Sequence, residues 1–380
     1  MPYLCRGLLL LLVLSIFLPL SAAAAPSGAA LESATSPPPN SAKAMVLLDA
    51  QSGRLLAARN EHARLPMAST TKIMTALIAI EELSPDHVVT VPREAVGIEG
   101  SSVYLYENEQ ITVQTLLHAL LLSSANDAAT ALALEISGSI PAFAAKMNEK
   151  AHTLGLFDTH FTNPSGLHEE EHYTSASDLA LLAAAALANE TFAKIVATRR
   201  YTAAQNGTDA TRLFLNHNRL LRTFEGAIGV KTGFTKAAGR CLVSAAEREG
   251  LTLICVTLSC PDDWRNHASL LDWGFSQYER VTLSPATFSL PVIGGSLESV
   301  VICAEAPLAL TLPRQRGEIS CTIELPRFLY GTFSSKTPVG KAIYRLNGVK
   351  IGEIPLVTTA ASEASAPPRF WAKMKRFFQG

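Results

Sequence analysis

The sequence is short of charge, of pairable cysteine and of membrane-length apolar runs. Only 17% of its 380 residues are charged, and the formal net charge is -1. Without a basic excess the chain has no means of broad electrostatic capture, so a nucleic-acid partner is not expected. A hydrophobic content of 48% equally excludes a disordered or collagen-like polymer. No internal repeat stands out at solenoid periods. No two cysteines have C-x-x-C spacing, so none suggests a zinc site. Cys5 falls in a segment expected to be removed, which leaves Cys241, Cys255, Cys260, Cys303 and Cys321. That odd set cannot pair fully within one chain. These cysteines read as small buried hydrophobes, with a single bridge left open.

The longest apolar run, Gly7–Leu20, is shorter than the ~20 residues a spanning helix needs. It follows the basic Arg6 and precedes Ser21-Ala22-Ala23-Ala24-Ala25. That layout predicts a secretory signal peptide over residues 1–25, cleaved near Ala24, and hence an exported protein. No cysteine stands at the cleavage site, so lipid attachment there is not expected. Residues 26–42, with Pro37-Pro38-Pro39, read as a solvated linker.

At about 100–200 residues per domain, the remainder suggests two folded domains. Ala44–Asp49 and Arg54–Ala58 flank a turn-like Ala50–Gly53 and predict a hairpin. From Pro66 to Gly138 the spacing turns helical: Ile73, Leu77 and Ile80 form one stripe, and Leu116, Leu117 and Leu120 another. Phe143, Met147, Ala151 and Leu154 line a further helix, with Pro141 near its start and Gly155 past its end. Ser175-x-x-Asp178 predicts a helix start. After Ala227, Gly226–Lys231, Arg240–Ala246 and Leu251–Leu258 read as strands, and Asp262 and Asp263 as caps of a closing helix. The order predicts an α+β domain over 43–279, an antiparallel sheet flanked by helices. Residues 280–357, broken by Pro and Gly, predict a small all-β C-terminal domain, with a linker over 358–368.

Three short motifs could carry chemistry. Ser69-Thr70-Thr71-Lys72 places a hydroxyl and an amine one helical turn apart. Serine needs a neighbouring base, and lysine can serve if burial or a nearby cation keeps it neutral. Taken alone, this motif fits a capping serine beside a solvated lysine equally well. Ser124-Ala125-Asn126 falls in a loop between helices, and Lys231-Thr232-Gly233 ends an apolar strand, where Gly233 would let a ligand approach the backbone.

With these motifs in this order the chain resembles the serine D-alanyl-D-alanine carboxypeptidases, or low-molecular-mass penicillin-binding proteins. Further likeness lies in Leu48–Gly53, Glu99-Gly100-Ser101-Ser102, Asn163-Pro164-Ser165-Gly166-Leu167 and His172-Tyr173-Thr174-Ser175-Ala176, so that it spans roughly residues 44–278. The resemblance implies a catalytic domain of the DD-peptidase/β-lactamase type, a C-terminal β-domain and a membrane-associated C-terminal helix. It implies that Ser69 attacks the carbonyl of the terminal D-Ala–D-Ala bond of peptidoglycan stem pentapeptides and that Lys72 takes its proton. Ser124 would relay a proton, and Asn126 would bind the substrate amide. Lys231 and Thr232 would face the terminal carboxylate, beside Gly233. The N–H groups of Ser69 and Phe234 would form the oxyanion hole. Phe234 stands where related enzymes often carry other aromatics or His, so only its backbone role transfers. The resemblance implies no metal or organic cofactor, and β-lactam antibiotics as inhibitors.

Other readings compete. A class A β-lactamase would need a Glu-x-x-Leu-Asn segment, which the sequence lacks, and its second motif has Asp where Ala125 stands. A DD-endopeptidase would use the same residues, and a catalytically idle wall-binding scaffold would not need Lys72 near Ser69. His168-Glu169-Glu170-Glu171-His172 matches the H-E-x-x-H zinc signature, but Gly166 before it and Ser175 after it predict an acidic loop.

In the tail, residues 369–380, Phe370, Met374, Phe377 and Phe378 share one helical face, accompanied by Arg369, Lys373, Lys375 and Arg376. A basic aromatic segment of this length predicts a helix lying on a membrane surface, in place of one docked on the protein's own core. The expected location is the extracytoplasmic face of the bacterial cytoplasmic membrane.

Overall fold

The computed structural model describes residues 35–204 and 210–364. The expected signal peptide, most of the first linker and the basic tail lie outside the described residues. Two compact units are present: one covers 35–282 and 309–316, the other 283–308 and 317–364.

The first unit opens with strands β1 (Ala44–Asp49) and β2 (Leu55–Arg59), followed by helix α1 (Lys72–Glu82). Then come β3 (Val88–Thr90), β4 (Gln110–Thr112) and helices α2 (Val113–Leu122), α3 (Asn126–Ser137), α4 (Ile140–Thr153), α5 (Ala176–Leu187) and α6 (Glu190–Ala197). After β5 (Arg200–Ala204), β6 (Thr211–Leu215) and α7 (Leu220–Thr223), strands β7 (Ala227–Thr235), β8 (Gly239–Arg248) and β9 (Leu251–Leu258) lead to α8 (Asp263–Gln277) and β10 (Tyr278–Leu283). The five-stranded sheet has the order β2-β1-β9-β8-β7 and is antiparallel throughout. Strands from the two ends of this unit thus meet at β1 and β9.

Alternation along these strands separates two cores. Val46 and Leu48 of β1 and Ile254 and Val256 of β9 face the helical layer. Met45 and Leu47, with Leu253 and Cys255, face the opposite side beside Leu270, Leu271 and Phe275 of α8. Both strands are buried on both faces, which is why they read as continuous apolar runs. Helix α1 is buried all round from Lys72 to Ala79, the pattern of a central helix. Lys72 therefore lies inside the protein, whereas Ser69, one turn ahead of it, is partly exposed.

Several helix ends follow their sequence signals. The Ser175 hydroxyl accepts from Asp178 N–H at 3.1 Å, and α4 has Ser139 as its N-cap, Pro141 in its first turn and Gly155 at φ +74° beyond its end. The closing helix forms as expected, but the Asp262 carboxylate makes no cap; it pairs with Arg265 at 2.6 Å, while Asp263 pairs with Arg240 at 3.0 Å. Near the expected boundary at 279/280 the chain runs straight from α8 into β10.

The second unit contains β11 (Phe288–Ile293) and β12 (Ser299–Ala304). Next in the chain, β13 (Leu308–Pro313) pairs with β10, and residues 309–316 accordingly belong to the first unit. Strands β14 (Ile319–Glu324), β15 (Leu329–Tyr330), β16 (Pro338–Leu346) and β17 (Val349–Thr358) complete the second unit as a six-stranded sheet ordered β14-β16-β17-β12-β11-β15. All five cysteines of the described residues are free thiols; Cys241, Cys255 and Cys260 are buried.

Ile78, 1% exposed on α1, is surrounded by the helical layer. Ile78→Ala is expected to destabilise the first unit by about 2–5 kcal/mol, because the surrounding helices cannot collapse fully into the cavity. Thermal unfolding of wild type and variant checks this, and an unchanged midpoint would refute the central position of α1.

Candidate active site

Three elements bring the motif residues together. A 3-10 turn, Ala68–Thr71, delivers Ser69 directly ahead of α1, on which Lys72 is the first residue. Ser124 lies in the link between α2 and α3, and Asn126 opens α3. Lys231, Thr232 and Gly233 lie on β7, the edge strand of the sheet. An edge strand has backbone N–H and C=O groups on the side away from its partner, available to an extended peptide.

Lys72 Nζ lies 3.0 Å from Ser69 Oγ, 2.7 Å from Asn126 Oδ1 and 2.6 Å from the Ser165 carbonyl oxygen. Lys72 is fully buried, and burial is the main cause holding its pKa well below the ordinary 10.5. The Lys231 charge pushes it down further, and Asp127 pulls it back. A neutral amine has two N–H donors and one lone pair. The two carbonyl oxygens accept the N–H donors, so the lone pair is the part left for the Ser69 hydroxyl. That is the geometry of a general base beside a nucleophile.

Lys231 Nζ donates to Ser124 Oγ at 3.0 Å and to its neighbour's carbonyl, Thr232 O, at 2.8 Å. Burial lowers its pKa from 10.5 to about 7. The Ser124 backbone sits at φ +61°, a conformation costing about 1–3 kcal/mol for a non-glycine residue. Ala68, immediately before Ser69, has φ +49°. Gly233 is required by close approach: a Cβ there would lie 3.1 Å from Ser69 N and 3.2 Å from Ala68 Cβ. Phe234 follows it with its ring 65% exposed.

Asn126 is occupied at both ends, since its Nδ2 donates to the Glu99 carbonyl at 2.6 Å. It holds Lys72 in addition to the substrate contact expected of it. Gly100, at φ +90°, keeps room there; a Cβ would stand 2.7 Å from Asn126 Nδ2. Asp127, a residue the sequence reading passed over, is fully buried. Its carboxylate accepts from Ser102 Oγ at 2.6 Å and from the N–H groups of Val103 and Leu105, each at 3.1 Å. It thereby clamps the 101–105 loop to the start of α3. Ser165 was quoted only as part of a motif, yet its carbonyl is a direct partner of Lys72. The signal was present in Asn163, whose Oδ1 accepts from Ser165 N–H at 3.2 Å and Gly166 N–H at 2.8 Å, an Asx turn that aims the carbonyl inward.

The H-E-x-x-H segment is not helical. His168 is exposed and His172 is buried, with both ring nitrogens held by protein groups. Among the described residues no carboxylate is hydrogen-bonded to Ser69 or Lys72, in keeping with the missing Glu-x-x-Leu-Asn segment.

A family model for D-alanyl-D-alanine carboxypeptidase matches residues 31–262. D-alanyl-D-alanine carboxypeptidase DacF of Bacillus subtilis is 31% identical over 88% of this chain and 88% of its own length. DacC of Escherichia coli, of the same description, is 33% identical over 88% and 87%. Among solved structures, penicillin binding protein 5 from Haemophilus influenzae superposes with a TM-score of 0.70 at 29% identity, covering 87% of this chain and 99% of that one. A Streptomyces DD-transpeptidase gives 0.60 at 33% identity, over 63% and 99%.

The lowered Lys231 pKa means that its charge is present below about 7 and lost above it. Lysine-specific NMR of the side-chain nitrogens should show this residue titrating at about 7, well below the ordinary lysine value of 10.5. The signal that disappears in Lys231→Met assigns it, and titration near 10.5 would refute the desolvated site.

Proposed function

The chain belongs to the D-alanyl-D-alanine carboxypeptidase family, and from that membership we propose that it cleaves its substrate through an acyl-enzyme on Ser69. It is a carboxypeptidase of the D-Ala–D-Ala bond, acts on peptidoglycan peptides and binds β-lactams. The observation that carries the serine mechanism is the fully buried Lys72 amine 3.0 Å from Ser69 Oγ, its pKa held well below the ordinary value by burial.

The steps follow from that contact. A stem peptide lies along the free edge of β7 with its terminal carboxylate near Lys231 and Thr232. Ser69 Oγ attacks the penultimate D-Ala carbonyl as its proton passes to Lys72 Nζ. Negative charge develops on the carbonyl oxygen and is met by the N–H groups of Ser69 and Phe234. The C–N bond breaks as the departing amine takes a proton from the Ser124 hydroxyl, which Lys231 polarises across 3.0 Å. Lys72 returns its proton to Ser124 as the site resets. Water then attacks the ester as one of its protons passes to Lys72 Nζ. The bond from the carbonyl carbon to Ser69 Oγ breaks, Lys72 returns that proton to Ser69 Oγ, and the shortened peptide leaves with the water's oxygen in its new carboxyl group. A β-lactam enters by the same first step, and its ester persists because no added carboxylate activates water.

Fluorescent penicillin should label the wild type at a single peptide containing Ser69, and Ser69→Ala should lose both label and D-alanine release. Mass spectrometry of a defined pentapeptide should show one D-alanine lost. Cleavage only of a cross-linked dimer would indicate an endopeptidase, rapid penicillin turnover a β-lactamase, and full activity in Ser69→Ala would overturn the serine mechanism.

Export and surface attachment complete the proposal. The apolar N-terminal run with its small-residue cleavage site supports secretion, and the basic aromatic tail supports a headgroup-level anchor. Deletion of residues 369–380 should move the protein from the membrane to the soluble fraction. An unchanged distribution would refute the anchor.

A further inference from the structure

His172 is a buried imidazole that the mechanism leaves unused. It is 2% exposed, and the Phe161 ring packs edge-on against it at 5.8 Å. Its Nδ1 accepts the Thr162 N–H at 3.0 Å. The ring proton therefore resides on Nε2, which donates to Thr71 Oγ1 at 2.7 Å. The Thr71 hydroxyl, with that acceptor position filled, donates to the Ala68 carbonyl at 2.8 Å. The chain of donors ends on the peptide unit that joins Ala68 to Ser69.

That peptide unit matters because it carries a proposed oxyanion donor. In a trans peptide the C=O and N–H point in opposite directions. Anchoring the Ala68 carbonyl toward Thr71 turns the Ser69 N–H the other way, toward β7, where Gly233 leaves space beside Ser69 N. The N–H groups that open a helix have no acceptor inside it, so this donor is available to a ligand. Ala68, at φ +49°, would not hold that orientation unaided. Gly166 closes the other side, since a Cβ there would meet the Ala68 oxygen at 1.9 Å.

We propose that His172, acting through Thr71, is the positioning residue that fixes the Ala68–Ser69 peptide plane and so aims the Ser69 N–H of the oxyanion hole. The inference rests on the acyl-enzyme reading above. Burial lowers the His172 pKa to about 4 against the pull of Glu169, so above that pH the Nδ1 lone pair stays free to accept the Thr162 N–H and the ring keeps its orientation toward Thr71.

The test uses the full-length protein and a peptide boronic acid, which forms a tetrahedral adduct with Ser69 and places an oxygen on the oxyanion donors. Outright loss of one such donor costs about 10²–10³ in kcat, so loosening it should cost about 10–100-fold. Thr71→Val, close to Thr in volume, should lower kcat by about that factor with KM within about twofold. Its affinity for the boronic acid should fall in parallel. Thr71→Ser, which retains the hydroxyl link, should restore both. His172→Gln, with an amide donor in reach of Thr71, should fall less than His172→Leu. Folded Thr71→Val or His172→Leu protein with wild-type kcat and boronic acid affinity would overturn the proposal. So would a loss confined to KM or to thermal stability. Penicillin labelling of Ser69 in the wild type is the separate control: its failure would remove the acyl-enzyme reading itself.

Discussion

The site depends on where three directions around one nitrogen point. Lys72 enters the core with its pKa held well down by burial, its Nζ donating to Asn126 Oδ1 and the Ser165 carbonyl. If the amine were charged it would have three donors and no lone pair, and Ser69 would face an ammonium unable to take its proton. Burial decides between the two forms, because a desolvated ammonium is costly and neither of its closest acceptors is a carboxylate. In the proposed mechanism Asn126 and the Asn163–Leu167 loop act on catalysis by this route. They supply neutral oxygens where an aspartate would have kept the lysine protonated.

The surrounding charges extend the same logic. Lys72, Lys231 and Asp127 are all buried. Two full ammonium charges would exceed the single carboxylate among these buried groups. Asp127 is also committed elsewhere, to Ser102, Val103 and Leu105, and sits in the first turn of α3, where the helix dipole favours it. The Lys72 pKa is the more strongly lowered of the two, which leaves Lys231, at about 7, as the cation that responds to its surroundings. A lowered pKa makes it an incomplete charge when the site is empty. An anionic substrate terminus would restore it, so that the ligand's own carboxylate completes the electrostatics of the site.

How far the sequence foretold this differs by level. The α+β order, the hairpin, the Ser175 helix start, the Pro141 and Gly155 ends of α4 and the reactive trio were legible because each has a local signature: a period, a cap or a fixed spacing. Asp262 misled because its preference for a cap competes with an ion pair to Arg265 that spacing alone does not rank. The partners of Lys72 were harder to read. Ser165 acts through a backbone carbonyl, which any residue type has, and only the Asx turn of Asn163 marks it. Asp127 carries no signal in spacing, because its role comes from the 101–105 loop that folds onto it. His172 drew notice for a zinc motif, yet its partners Thr71 and Thr162 lie outside that motif.

Backbone strain beside the nucleophile links these details to the fold. Ala68 occupies a left-handed conformation in which glycine would be easier, yet its methyl group is 2% exposed and packs in the helical core. A glycine there would remove strain and also remove the contact that limits the turn to one orientation. The space that Ala68 occupies is provided by its neighbours: a Cβ at Gly166 would collide with its carbonyl oxygen at 1.9 Å, and one at Gly233 would crowd its methyl group at 3.2 Å. Glycine is thus placed opposite the strained residue and not at it. That arrangement makes sense if the turn must be held rigid, because freedom at residue 68 would swing both the Ser69 hydroxyl and the Ser69 N–H. The many fully buried side chains of α1 and β9 stabilise the scaffold enough to tolerate about 1–3 kcal/mol at each strained position. The large apolar core and the small reactive turn are therefore parts of one design, in which packing energy maintains a conformation that local preferences alone would abandon.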